Sequence, residues 1–148
     1  MSPTIHASAV LVGAKAVLIQ GPSGSGKSAL AWALIQAQQQ GLVKFSRLVA
    51  DDRAHLEAAH GRLLVRPAAE LAGLIEIRGL GIRKLPFEPL ACVGLLVEFG
   101  AADAERLPNQ ASRQSQVAGI DLPRLAIAPG TAPLPLVLAH FATADTQM

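Results

Sequence analysis

The chain has 148 residues, 51% of them hydrophobic, and a formal net charge of +2. That is the length of one domain with enough apolar material for a core. Aromatic residues make up only 3%, which argues against a stacking surface for single-stranded nucleic acid, and the small charge excess provides no basic stripe for duplex binding.

Cys92 is the only cysteine, so no internal disulfide is possible, which fits a reducing compartment. The opening "MSPTIHASAV" lacks Lys and Arg, and the longest apolar run, Leu90 to Val97, is too short for a bilayer. A soluble cytoplasmic protein is expected, with neither a membrane nor a nucleic acid as partner. The low charged fraction, 16%, points to surface committed to subunit contacts and hence to a homo-oligomer.

In chain order, Ala9–Val12 and Ala16–Ile19 read as two short strands joined by a turn at Gly13-Ala14. A helix is predicted from Lys27 to about Gln39, because Leu30, Ala33, Leu34 and Ala37 share one face, with Gly41 closing it. Arg47–Ala50 reads as a buried strand ending at Asp51-Asp52. Ala68–Ala72 reads as a helix, Leu74–Arg78 and Val93–Phe99 as strands, and Ala102–Leu107 as a short helix. Ser115–Val117 is loop or strand, Leu125–Ile127 a strand, and Leu134–Phe141 a final helix. Interleaved elements of this kind indicate a single α/β domain over residues 1–148 with a mixed sheet.

Between the second strand and the first helix lies "GPSGSGKS", residues 21–28, which fits the phosphate-loop pattern G-x-x-x-x-G-K-[ST]. Gly21, Gly24 and Gly26 let the backbone turn its N–H groups inward, with Pro22, Ser23 and Ser25 completing the loop. The helix N-terminus favours an anion. Lys27 would reach the terminal phosphates of ATP and Ser28 would hold Mg²⁺. A flexible glycine turn is the plain alternative; the strand before and the helix after weigh against it.

Two carboxylates follow. Asp51 and Asp52 would face opposite sides if the strand continued, one toward the phosphates and one bracing a loop or second ion. In "LIEIRGLGI", 74–82, Glu76 and Arg78 alternate with Ile75 and Ile77 and share a strand face, and Gly79 and Gly81 would permit close backbone approach. Read alone these are a solvated turn and a surface ion pair; beside a nucleotide they read as a metal ligand and a charge-neutralising cation. His6, fifteen residues before Gly21, reads by itself as a terminal histidine without a role, and His55, His60 and His140 carry no spacing signal and read as structural or surface residues.

His6, "GPSGSGKS", "RLVADD" and "LIEIRGLGI", in that order, closely resemble the HPr kinase/phosphorylase family, and "AERL" at 104–107 and "LPRLAIAPG" at 122–130 continue the likeness more faintly. The resemblance implies a fold similar to the nucleotide-binding core of phosphoenolpyruvate carboxykinase. It also implies transfer of phosphate from ATP, with Mg²⁺, to a serine of the phosphocarrier HPr or its nitrogen-system homologue, and removal of that phosphate by inorganic phosphate. Homohexamers are implied too. Carried over by position, Asp52 matches the proton acceptor, Asp51 and Arg78 support the site, and His6 orients Asp52 or the phosphates. Lys27 stabilises the transferred group, Ser28 and Glu76 match the Mg²⁺ ligands, and Arg106 matches a late active-site arginine.

Two departures from the family stand out. His6 lies near the start, like short proteobacterial members that carry the catalytic domain alone, so regulation by a preceding domain is not expected. "PGTA" at 129–132 puts Thr131 where the family's "PGRN" has an arginine, which predicts a weakened reverse reaction. A small-metabolite kinase and a nucleotide sensor without turnover are the alternatives. The first lacks a clear arginine-bearing lid, and His6, Asp52 and Glu76 argue against the second.

Overall fold

The computed structural model describes residues 3–105 and 107–144. Strands β1 (Thr4–His6), β2 (Ser8–Val12) and β3 (Lys15–Gln20) lead into α1 (Lys27–Gln39), followed by β4 (Ser46–Ala50), β5 (Arg53–Ala59) and β6 (Arg62–Pro67). Then come β7 (Leu74–Ile77), β8 (Gly81–Lys84), β9 (Ala91–Phe99), β10 (Gln114–Val117), β11 (Ile120–Ile127) and α2 (Pro133–Ala142). This is an α/β domain with a mixed sheet.

The main sheet runs β1-β5-β6-β9-β3-β2-β4, with β10 and β11 branching from β9. β3, β9 and β11 are parallel, and the other pairings are antiparallel. β9 divides one of its edges, giving Ala91 and Cys92 to β6 and Leu96 to Phe99 to β11. β1 runs almost directly into β2, and β4 into β5, while β1 pairs with β5 and β2 with β4. The two ends of the sheet therefore meet, and the sheet curls on itself with a corner at Ala7 and at Asp51-Asp52.

β3 explains the two-sided core. Its residues alternate between two clusters. Ala16 and Leu18 pack with Val49, Ala54, Leu63, Val65 and Leu122 inside the curl, whereas Val17 and Ile19 pack with Leu30, Leu34, Leu95, Val97 and Val137 beneath the helices. A strand with parallel neighbours and both faces covered reads as a continuous apolar run, as "AVLI" does.

α1 has the predicted bounds. Its buried face is Leu30, Ala31, Leu34 and Ala37, with Ala31 in place of the expected Ala33, which is half-buried. Gly41, at φ 74°, closes the helix: its N–H bonds the Gln38 carbonyl at 3.1 Å, and that of Leu42 bonds the Ala37 carbonyl at 2.9 Å. Only glycine takes that conformation without strain. The polar stretch after it is tied back, since the Ser46 N–H donates to Gln38 Oε1 at 2.8 Å and the Ser46 hydroxyl to the Ile35 carbonyl at 3.1 Å.

Several expectations need correction. Ala68–Ala72 holds a single 3-10 turn, Ala69–Leu71, because the chain must re-enter a strand at Leu74. Residues 102–105 and 107 are not helical, and Ser112 and Asn109 form a local turn just beyond them. A side chain at Gly79 or Gly81 would meet nothing within 4 Å, so these glycines serve their left-handed backbone (φ 85° and 102°) in the β7–β8 turn rather than a close approach. The β5–β6 hairpin was not foreseen; it turns on His60-Gly61, both at positive φ (53° and 76°). No helix among the described residues is long and apolar enough to cross a membrane.

Candidate active site

The parallel strand β3 ends at Gln20, and the loop 21–26 carries the chain from the sheet's end to the start of α1. Gly21 is squeezed: an added Cβ would lie 2.7 Å from Phe99 Cβ and 2.9 Å from Ser25 Oγ. Gly24 and Gly26 hold φ 77° and 110°. Gly26 caps α1, whose first turn has no side-chain cap and no acidic residue. The first N–H groups of the helix are thus left for an anion. Lys27 Nζ spans the loop, donating to the carbonyls of Gly21 (2.9 Å) and Pro22 (3.0 Å).

Ser25 Oγ is buried without a hydrogen-bond partner among the described residues. The groups of this loop that suit phosphate oxygens are its backbone N–H groups and the Lys27 ammonium, which borders the cleft.

The acidic pair stands at the corner where the sheet bends, and the bend splits its roles. Asp51 is 5% exposed. Its Oδ1 accepts the hydroxyls of Ser8 (2.7 Å) and Ser28 (2.8 Å), and its Oδ2 accepts the Glu76 N–H at 3.1 Å. One carboxylate therefore joins β2, the start of α1 and β7. Asp52 takes φ 70°, a left-handed conformation for a non-glycine residue. The Ala7 N–H on its carbonyl (3.2 Å) and the Arg53 N–H on that of Asp51 (2.8 Å) fix the turn. The strand ends at Ala50, so the alternation of a continued strand does not apply; the turn at Asp52 sends its carboxylate outward. That carboxylate is exposed and stands 4.0 Å from His6 Nδ1.

A cleft of about 570 Å³ collects these groups. His6, Asp52, Lys27, Ser28, Glu76 and Arg78 all border it, as do Ser23 to Gly26 of the loop. β7 ends at Ile77, so Arg78 sits in the following turn, yet it faces the same cleft as Glu76. Gly21 and Pro22 form the loop's base, and Asp51 lies behind the cleft wall. Arg106 lies outside the described residues. Thr131 borders a different groove, of about 1090 Å³, between β11 and α2.

Two contributors went unread in the sequence. Ser8, fully buried, orients Asp51; the only signal was one hydroxyl in the apolar run "ASAVLV". Trp32, one helical turn beyond Ser28, lines the cleft and packs on the core with Ile77.

Among the described residues no three His, Cys, Asp or Glu side chains gather into a metal cage. The donors near Ser28 are a hydroxyl and carboxylates, hard oxygen ligands that suit Mg²⁺ shared with phosphate oxygens rather than a dedicated site.

Residues 1–86 match the family model described as HPr Serine kinase C-terminal domain. Among curated proteins, HPr kinase/phosphorylase of Streptococcus thermophilus is 42% identical over 80 residues, covering 53% of this chain and 24% of that protein. The Clostridium tetani protein of the same name is 39% identical over 70 residues, covering 47% of this chain and 21% of that protein. The matched region thus spans about a quarter of the length of these relatives. The solved Hpr(Ser) kinase/phosphatase from Coxiella burnetii superposes with a TM-score of 0.73 at 25% identity, covering 94% of this chain and 88% of that one.

Proposed function

The chain belongs to the HPr serine kinase C-terminal domain family, and from that premise we propose that it is an ATP-dependent protein-serine kinase. Its acceptor is a serine of HPr or of the nitrogen-system carrier. The observation that carries this reading is the shared cleft. A glycine loop with its lysine, a serine bonded to a buried aspartate, and an exposed aspartate beside a histidine all border one cavity.

The residues divide the work as follows. Backbone N–H groups of Gly24 to Ser28 and the Lys27 ammonium bind and orient the phosphates of ATP. Ser28 and Glu76 would hold Mg²⁺, with Asp51 fixing the Ser28 hydroxyl. Bound Mg-ATP supplies the phosphoryl group and neutralises its charge. Asp52 takes the proton from the acceptor serine as its oxygen bonds to phosphorus and the bond to the ADP oxygen breaks. His6 keeps the Asp52 carboxylate aimed, and Arg78 offsets charge on the transferred group. In phosphorolysis inorganic phosphate bonds to the phosphorus of phosphoserine, the bond to the serine oxygen breaks, pyrophosphate leaves, and Asp52 carries a proton from the attacking phosphate to the departing serine oxygen. Little covalent chemistry falls to the protein; positioning and electrostatics supply the rate.

We extend the fold likeness to the phosphoenolpyruvate carboxykinase core, place the protein in the cytoplasm, assign Arg106 to the same site, and take the assembly to be a homohexamer. The test is a comparison of the wild type with Asp52→Asn, both given Mg-ATP and HPr. The proposal expects phosphoserine from the wild type, a loss of at least about 100-fold in the variant, and equal Mg-ATP binding by both. Equal turnover would remove Asp52 from the role of base.

A further inference from the structure

The second half of the chain holds an arginine that the mechanism does not use. Arg124 on β11 is 10% exposed and makes four hydrogen bonds. Its Nε donates to Glu98 Oε1 at 2.8 Å. One terminal nitrogen donates to Asp103 Oδ2 (2.8 Å) and to the Ser112 carbonyl (2.9 Å), and the other to Asp103 Oδ1 (2.9 Å). The fork on Asp103 is bidentate, the strongest form of this contact. The hydrogen bond from Arg124 holds the Asp103 carboxyl below its ordinary range.

These partners have meaning by position. Asp103 and Ser112 lie at the two ends of one loop, so a single guanidinium closes it. Glu98 lies in register with Gln20, the residue before the phosphate loop. The next residues, Phe99 and Gly100, back that loop directly. A Cβ at Gly21 would meet Phe99 Cβ at 2.7 Å, and one at Gly100 would meet Pro22 Cδ at 3.5 Å. The Gly100 N–H is itself tied to the Ile127 carbonyl at 3.1 Å, at the end of the strand that carries Arg124.

We propose that Arg124 is a positioning residue for phosphoryl transfer: it clasps the 103–112 loop onto the end of β9 and so fixes Phe99-Gly100 against the base of the phosphate loop. This rests on the kinase reading above. Arg124 does not border the phosphate cleft, lining instead the groove beside α2; it acts through Glu98, Phe99 and the loop. Opening the clasp lets the base of the phosphate loop shift, and a displacement of about 1 Å at a reacting phosphate costs up to about 100-fold in rate. Most backbone contacts to the phosphates survive, so turnover suffers more than affinity.

Asp103→Ala is the clean perturbation. Asp103 is half exposed, and its loss leaves Arg124 paired with Glu98 and the Ser112 carbonyl, so no buried charge is stranded. The full-length variant is expected to melt within a few degrees of the wild type and to lose about tenfold in kcat with KM for ATP within about twofold. Amide hydrogen exchange should rise over residues 100–112 and over the phosphate loop. Asp103→Glu should recover most of the turnover. Unchanged kcat, or unchanged exchange at 100–112, overturns the clasp. If the wild type transfers no phosphate, the kinase reading fails instead. The clasp is then judged by exchange in the phosphate loop: a rise in Asp103→Ala supports it, and no rise overturns it.

Discussion

Replacing Asp51 by alanine should destabilise the fold by about 3–5 kcal/mol, because three donors lose their acceptor at once. Ser8 is fully buried, so its hydroxyl finds no water, and an orphaned buried donor costs about 1–3 kcal/mol. The Glu76 N–H and the Ser28 hydroxyl are partly buried and rehydrate in part, adding about 1 kcal/mol each. Asp51→Asn is the internal control. Its amide oxygen keeps both hydroxyls, while its NH₂ meets the Glu76 N–H donor to donor, so about 1–2 kcal/mol is expected. Urea unfolding of the three proteins at pH 7 measures this, provided the slopes agree. An alanine variant within about 1 kcal/mol of the wild type would show that Asp51 does not hold β2, α1 and β7 together, and would remove the physical basis for a fixed Ser28.

Gly21→Ala should cost about 1–3 kcal/mol through overpacking against Phe99 and Ser25, and should weaken ATP binding at least tenfold by calorimetry; an unchanged affinity would mean that the loop tolerates rearrangement. Burial holds His140 below its ordinary value of 6.5. The unfolded chain therefore takes up the proton first as pH falls. The His140 contribution to stability is constant above pH 6.5, declines below it, and levels off beneath the folded value. Subtracting a His140→Gln stability profile from that of the wild type should isolate this decline, and a flat difference would refute it. Thr131 stands where the family's "PGRN" has an arginine, so phosphorolysis of serine-phosphorylated HPr should run well below the kinase rate; comparable rates would show that phosphate is bound without that arginine.

What could be read beforehand depended on whether the signal was local. The phosphate loop, α1 and β9 were legible because glycine spacing, helical periodicity and a long apolar run each act over a few neighbouring residues. The β5–β6 hairpin was not, since Ala54, Ala58 and Ala59 alternate too weakly to mark a strand and His60-Gly61 is a less telling turn than Asn-Gly. The adjacency of Asp51 and Asp52 was plain. Their division of labour was not, because it follows from the bend that brings β1 to β5 and β2 to β4. Arg124 was likewise invisible: its partners Glu98, Asp103 and Ser112 become neighbours only when β9 and β11 pair.

The central claim is that this cleft moves a phosphoryl group from ATP to a protein serine. Intact-mass measurement of purified HPr and of the nitrogen-system carrier, each incubated with the protein and Mg-ATP, tests it most directly. One added phosphoryl group on a serine of either carrier, dependent on Asp52, is the predicted result. Two unmodified carriers, with Mg-ATP demonstrably bound to the protein, would contradict it.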